Sequence, residues 1–195
     1  MRMAKWHGIN SLKAEDFRCG YCGREVAADK GYFRDDEKSH YIRICPRCAK
    51  PTYFDAGKQV PDIAPGNEVK EVPEDVNGLY VEARNCISVS AYTASVLASR
   101  KLLMNIAVTQ GADEGKKFVE YVQYLADNGY VPPNGEGWVD HVRKKGNEAT
   151  HEIPHMERED AEELITFAEM LLKFIYEFPA RVPGAQAPQA PQGSG

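Results

Sequence analysis

A chain of 195 residues that is 43% hydrophobic holds enough apolar material for one medium domain, or a smaller domain with an accessory module, which excludes wholesale disorder. No apolar run of signal-peptide length follows Met1, and no uninterrupted apolar segment approaches the roughly 20 residues that span a bilayer, so the expectation is a cytoplasmic protein with no membrane partner. The net charge of -5 is unevenly placed: residues 1–60 carry 12 Lys and Arg against 8 Asp and Glu, and residues 61–195 carry 12 against 21, so only the front part, or a local patch, suits a polyanion.

The front segment, residues 1–58, holds four of the five cysteines and two short extended candidates, "GYFRDD" and "SHYIRIC". Its "CGYC" at 19–22 and "CPRC" at 45–48 are two CxxC pairs separated by 22 residues. Two thiolates from each of two tight turns build a tetrahedron, so Cys19, Cys22, Cys45 and Cys48 are expected to hold one structural Zn2+ per chain. Disulfides or a redox dithiol are the competing reading, and a chain without a secretory signal argues against them. Four thiolates leave no coordination position open, so the metal would substitute for a core too small to fold alone. His40 could replace one ligand, which four cysteines make unnecessary. Arg18, Arg24, Arg43 and Arg47 flank the pairs as a rim for nucleic acid or protein, or as solvated decoration. One Zn2+ with four thiolates adds -2 and cuts the segment's charge of +4 to about +2.

Residues 59–73, with three prolines, are expected to form an ordered or semi-rigid linker. Helical periodicity then begins. Val76, Leu79, Tyr80, Ala83 and Ile87 line one face of a helix starting near Pro73 or Glu74. Val96, Leu97, Leu103, Met104, Ala107 and Val108 form a second apolar set ending at Gly111, and "ISVSAYTAS" leaves open whether the two sets share one helix. Phe118, Val122 and Leu125 mark another helix ending near "DNGY", and Trp138, Val139 and Val142 a shorter one. The longest stripe runs from Ala161 through Leu164, Ile165, Ala168, Leu171, Leu172, Ile175 and Tyr176 to a stop at Pro179. These faces must cover one another, which predicts an all-α bundle of four or five helices over 74–181, behind a small zinc ribbon of short β-strands. Residues 182–195 read as a disordered tail. Cys86 has no His at helical spacing and reads as a buried, inert thiol.

The runs "ASVLASRKLLMNIAVTQG", "FVEYVQYLADNGYVP", "WVDHVRKKGNEATHE" and "EDAEELITFAEMLLKFIYEFP" resemble the domain of unknown function 4145 family over about residues 76–180. The most specific element is "VRKKGNEATH", and Arg100-Lys101 matches the family's basic pair. Met104 departs from the pattern, since members commonly carry Glu nearby. The family has no general biochemical activity. Its members occur alone, behind small zinc modules or fused to restriction and other defence-associated proteins, which implies a bacterial or phage setting. More distantly the run is similar to the HEPN helical superfamily, which includes metal-independent ribonucleases and implies that an exposed helix face forms a homodimer.

Arg143, Asn147 and His151 fall at i, i+4 and i+8 and would share one side of an uninterrupted helix. In a ribonuclease His151 would move the proton at the ribose 2′-hydroxyl and leaving oxygen, Arg143 would hold phosphate, and Asn147 would orient one of them. The spacing exceeds the nuclease pattern by one residue, and Gly146 stands where that pattern usually has Arg, with Lys144 or Lys145 as substitute charges. Basic residues followed by Gly-Asn also describe a helix C-cap, and this is the preferred reading. The acidic run "EREDAEE" is expected to be a solvated first turn of the last helix, and His141 and His155 lack metal-ligand neighbours. The sequence therefore favours a zinc-containing binding or adaptor module, with a protein or nucleic acid as partner, in a defence or nucleic-acid-processing system. The alternatives are an endoribonuclease using His151 and Arg143, and a non-catalytic nucleic-acid-binding protein.

Overall fold

The computed structural model describes residues 7–34, 39–132, 135, 137–142 and 156–182. The chain divides into two compact units, Met1–Ala64 and Pro65–Gly195.

The first unit is an antiparallel sheet of five strands in sequential order: β1 (Asn10–Arg18), β2 (Glu25–Phe33), β3 (His40–Ile44), β4 (Pro51–Asp55) and β5 (Lys58–Val60). The two extended segments read from the sequence overlap the end of β2 and all of β3. β1 is mostly solvent-exposed and slips register between Ser11 and Glu15, so it has no alternation to read. β4 does alternate, Thr52 and Phe54 inward and Tyr53 and Asp55 outward, but over five residues that begin with proline. Tyr41 pairs with Phe54 across β3 and β4 and their rings stack at 5.0 Å, while Phe17 meets Phe54 edge-on at 5.2 Å. Gly31 is dictated by space, because a Cβ there would stand 1.8 Å from the Ile42 carbonyl oxygen.

Arg43 corrects the expectation of a four-arginine rim. It is 4% exposed, donates to the carbonyls of Lys13 (2.9 Å) and Ala28 (2.5 Å), pairs with Glu15 at 2.6 Å and lies over the Tyr41 ring. A planar guanidinium with five donors reaches two main-chain carbonyls and a carboxylate at once, which neither an apolar side chain nor a lysine does as well. Among the described residues, the buried apolar ones of this unit are Cys19, Ala28, Ile44, Cys45 and Phe54. A core of that size, two of its members cysteines, needs a staple.

The second unit is helical: α1 (Glu74–Ser88), α2 (Tyr92–Thr109), α3 (Phe118–Asp127), a short helical segment over 137–142, and α4 (Arg158–Leu172). α1 and α2 are separate helices. Ser90 takes the left-handed conformation (φ 62°), its N–H bonds to the Ile87 carbonyl, and the N–H of Ala91 bonds to that of Cys86. Gly111 and Gly129 close α2 and α3 with the same pair of bonds, the expected use of glycine past a helix end. α4 starts with a capping box, the Asp160 carboxylate accepting from the Glu157 N–H at 3.1 Å, so the acidic run is a helix start. Beyond Leu172 the helix widens into a π segment, Lys173–Glu177, then resumes over Phe178–Ala180. Pro179 therefore lies inside the last turn instead of stopping the helix before it, where the missing donor costs one terminal bond.

Tyr80, Leu102, Leu103, Ile106, Leu125, Phe167, Leu171 and Leu172 fill the interior of this unit, each at most 1% exposed. Trp138 of the 137–142 segment packs edge-on against Phe167 at 5.0 Å. Met104, where the resembling family commonly has an acid, is half-buried against this core. Among the described residues no helix is long and apolar enough to cross a membrane.

The proline-rich stretch between the units is occupied at both of its ends. Residues 58–60 form β5, and the carbonyls of Pro61 and Asp62 back onto Gly20, where a Cβ would stand 2.3 and 2.6 Å from them. Pro65 and Gly66 give their carbonyls to Arg84, at 2.6 and 2.9 Å. Asn67 is gripped by Glu169 and gives its carbonyl to Tyr80 at 3.0 Å, Val69 is buried, and the Lys70 N–H donates to Glu177 at 3.0 Å. Side chains of α1, α4 and the π segment thus hold residues 65–70 largely by their main chain.

Candidate metal centre

A sequential meander explains why two cysteine pairs 22 residues apart come together. The β1–β2 and β3–β4 turns lie at the same end of the sheet, and each carries one CxxC pair. The turns share one local geometry. The N–H of Cys19 bonds to the carbonyl of Arg24 and that of Gly23 to Cys19, as Cys45 does to Lys50 and Ala49 to Cys45, all between 2.8 and 3.0 Å. The residue after each pair takes a positive φ, 64° at Gly23 and 58° at Ala49, which turns the backbone sharply enough to aim both sulfurs inward.

The four sulfurs lie within 4.8 Å of one another. Two pairs that bridge the turns stand at 3.8 Å, Cys19 to Cys48, and 3.9 Å, Cys22 to Cys45. Disulfide sulfurs stand about 2.05 Å apart, and all four cysteines are free thiols. Four sulfurs about 2.3 Å from a common centre stand about 3.8 Å from one another in a tetrahedron. The set therefore fits a metal.

The protein dipoles suit thiolates as well. Burial raises the Cys45 thiol, but the N–H groups of Cys48 and Arg47, with help from the neighbouring thiols Cys48 and Cys19, bring it below the ordinary range. Burial pushes Cys48 up to about 12, with the N–H of Lys50 opposing and Cys45 and Cys19 adding to the rise. Burial likewise raises Cys19 against the N–H groups of Cys22 and Tyr21. A divalent ion binds thiolates, so filling the set would release protons and replace them with metal–sulfur bonds. Cys19 and Cys45 are buried, whereas Cys22 and Cys48 are half-buried and close the outer side.

His40 stands at the opposite end of β3 from this cluster, with Nε2 2.7 Å from Asp55 and Nδ1 3.1 Å from Ser39 Oγ. Arg18, Arg24 and Arg47 are exposed on the cysteine turns, as the sequence predicts. Tyr21, between the paired cysteines, is 46% exposed with the Lys50 ammonium 4.8 Å from its ring centre. Neither residue stands out by motif or spacing, although an aromatic inside a CxxC turn is a visible signal.

Arg143, Asn147 and His151 lie outside the described residues. His141, just before them, pairs with Glu163 of α4. Cys86 is half-buried on α1, and burial, with Glu82 nearby, raises its thiol. Arg100 of the basic pair lies over the Phe118 ring at 4.7 Å and is lowered by burial, while Lys101 is exposed.

Comparison with known proteins gives one match: the family model Domain of unknown function (DUF4145) covers residues 81–189. No curated protein and no solved structure matches the chain.

Proposed function

The chain belongs to the Domain of unknown function (DUF4145) family, and from that premise we propose that it is a zinc-containing binding or adaptor module of a bacterial or phage defence or nucleic-acid-processing system. The observation that carries this reading is the closed set of four sulfurs within 4.8 Å on two matched turns. Cys19, Cys22, Cys45 and Cys48 would hold the ion, and zinc is the metal that a tetrahedral all-thiolate set favours. A site with four protein ligands supplies cohesion and no exchangeable water, so its chemistry is structural. The front segment is then a zinc ribbon whose fold depends on the metal, joined to a helical bundle with its own apolar core. The prokaryotic and defence setting rests on the family resemblance, as does a homodimer through an exposed helix face.

Elemental analysis of the purified chain is expected to give about one zinc per chain, with Cys45→Ser losing both the metal and the native signature of the sheet unit. A wild-type chain that is fully folded and metal-free overturns the reading. Labelled RNA incubated with the chain in EDTA is expected to stay intact. Cleavage that disappears in His151→Ala would replace the adaptor reading with the endoribonuclease one.

A further inference from the structure

The cysteine turns carry more than the metal ligands. Arg18 precedes Cys19, Arg24 follows Cys22 by two residues, Arg47 lies between Cys45 and Cys48, and Lys50 follows Cys48 by two. All four are exposed, and among the described residues none of them pairs with a carboxylate. Arg18 spends only its Nε on the Gly23 carbonyl, at 2.9 Å, which leaves the rest of the guanidinium outward. Among the described residues three acids lie close: Asp16 and Glu25, both exposed and lining one surface hollow with Arg18, and Asp62, whose carboxylate accepts from the Ile63 N–H at 2.7 Å. Against these cations the filled metal centre would contribute -2, but that charge is wrapped by the backbone N–H groups of Tyr21, Cys22, Arg47, Cys48 and Lys50, whereas the cations reach into solvent.

Tyr21 decides the kind of polyanion. It is among the large apolar side chains left exposed, and Lys50 lies over its ring, so the surface pairs a π face with a positive charge. A duplex buries its bases in the stack and offers only phosphates to such a surface, while a single strand offers both base faces and phosphates. We propose that the two cysteine turns bind single-stranded nucleic acid, Tyr21 stacking on a base while Arg18, Arg24, Arg47 and Lys50 hold the flanking phosphates. This rests on the reading of the sheet unit as a metal-dependent binding module and names its ligand.

The test uses the full-length chain, its zinc content verified, titrated into a fluorescein-labelled oligothymidylate of about 15 nucleotides, a length that covers one binding site of this type. The expected result is binding that weakens with added KCl, with a log–log slope between about -2 and -3 for three to four phosphate contacts. Tyr21→Ala is expected to weaken binding about tenfold at unchanged zinc content, since a stacked base is worth roughly 1–3 kcal/mol. Arg47→Glu is expected to flatten the salt slope by about 0.7. Equal or tighter binding of the matching duplex, wild-type affinity in Tyr21→Ala, or full competition by polyglutamate each overturns the proposal, the last by pointing to an acidic protein. Failure to bind with one zinc per chain present removes the nucleic-acid ligand and leaves the metal module standing. A folded wild-type chain without zinc removes the module itself.

Discussion

Glu169 and Asn67 are 102 positions apart in the chain, and one carboxylate takes two hydrogen bonds from one residue: the backbone N–H at 2.8 Å and the side-chain amide at 2.9 Å. Lys173, one turn along, pairs with the same carboxylate. The arrangement fastens the entry segment of the helical unit to its last helix, which no apolar periodicity encodes. Glu169→Ala removes the acceptor and leaves the Asn67 donors to water. Bonds to a charged, half-buried group are worth roughly 1.5–3 kcal/mol, so the variant is expected to lose about 2 kcal/mol. Urea denaturation followed by far-ultraviolet circular dichroism reads this as a lower midpoint; an unmoved midpoint would show that the segment adds nothing to stability.

The same contacts make the helical unit acid-sensitive. Burial raises Glu169, but hydrogen bonds from Lys173 and Asn67 outweigh it and hold the carboxyl below its ordinary value. Glu177 is also held down, first by the Lys70 N–H, with burial opposing and Arg181 assisting. A carboxyl whose folded value is depressed binds fewer protons folded than unfolded, so its stabilisation is complete above the ordinary value of about 4.3 and is lost as pH falls through the depressed one. Stability is therefore expected to hold near pH 6 and to fall below about pH 4.5. In Glu169→Gln/Glu177→Gln the fall should be shallower; an identical profile in wild type and variant would place the acid sensitivity elsewhere.

The family match begins at Val81, in the middle of α1, whereas the compact unit begins at Pro65. The sixteen residues between include buried Val69, Val76 and Tyr80 and the whole of the gripped segment. A fragment starting at Pro65 is expected to unfold cooperatively. One starting at Val81 is expected to show no cooperative transition, because it exposes the core face that Tyr80 covers. Equal thermal midpoints for the two would make the entry segment dispensable.

What the sequence made legible follows from which forces leave a local pattern. The stripes of α1, α3 and α4 were readable because burial recurs at helical spacing, and the cysteine turns because two short motifs carry all four sulfurs. The break between α1 and α2 leaves no such pattern, since it hangs on Ser90, a residue that rarely takes a positive φ, rather than on glycine. Arg43 reads as a surface residue because charge usually means exposure; its interior place depends on carbonyls of Lys13 and Ala28 that only the folded sheet brings together. The grip of Arg84, Glu169 and Glu177 on residues 65–70 was invisible for the same reason: its acceptors and donors are mostly main-chain atoms, which every sequence has.

Two glycines of the helical unit should respond oppositely to the same substitution. Gly66 has φ +72°, and an added Cβ would stand 2.8 Å from Tyr80 Oη, 2.9 Å from Glu169 Oε2 and 3.0 Å from Ile165 Cγ2. Left-handed backbone and crowding together make Gly66→Ala costly, by about 2–3 kcal/mol. Gly78 lies exposed within α1 with nothing near its Cβ position. Gly78→Ala is expected to stabilise by about 0.5–1 kcal/mol, the difference in backbone entropy. Thermal melts that move in the same direction for both would contradict the conformation assigned to Gly66.

Metal removal should separate the two units energetically. Among the described residues the sheet unit buries few apolar side chains, two of them the cysteines Cys19 and Cys45, whereas the helical unit has a continuous core from Val69 to Tyr176. If the four thiolates carry zinc, the metal bonds supply folding free energy to the first unit only, because no cysteine of the set lies in the second. A chelator strong enough to strip a four-thiolate site is expected to abolish slow amide hydrogen exchange in β2, β3 and β4. Protection in α2 and α4 should stay unchanged. Adding zinc back under reducing conditions should restore the sheet, and loss of protection in both units at once would mean that the helical core depends on the metal centre as well.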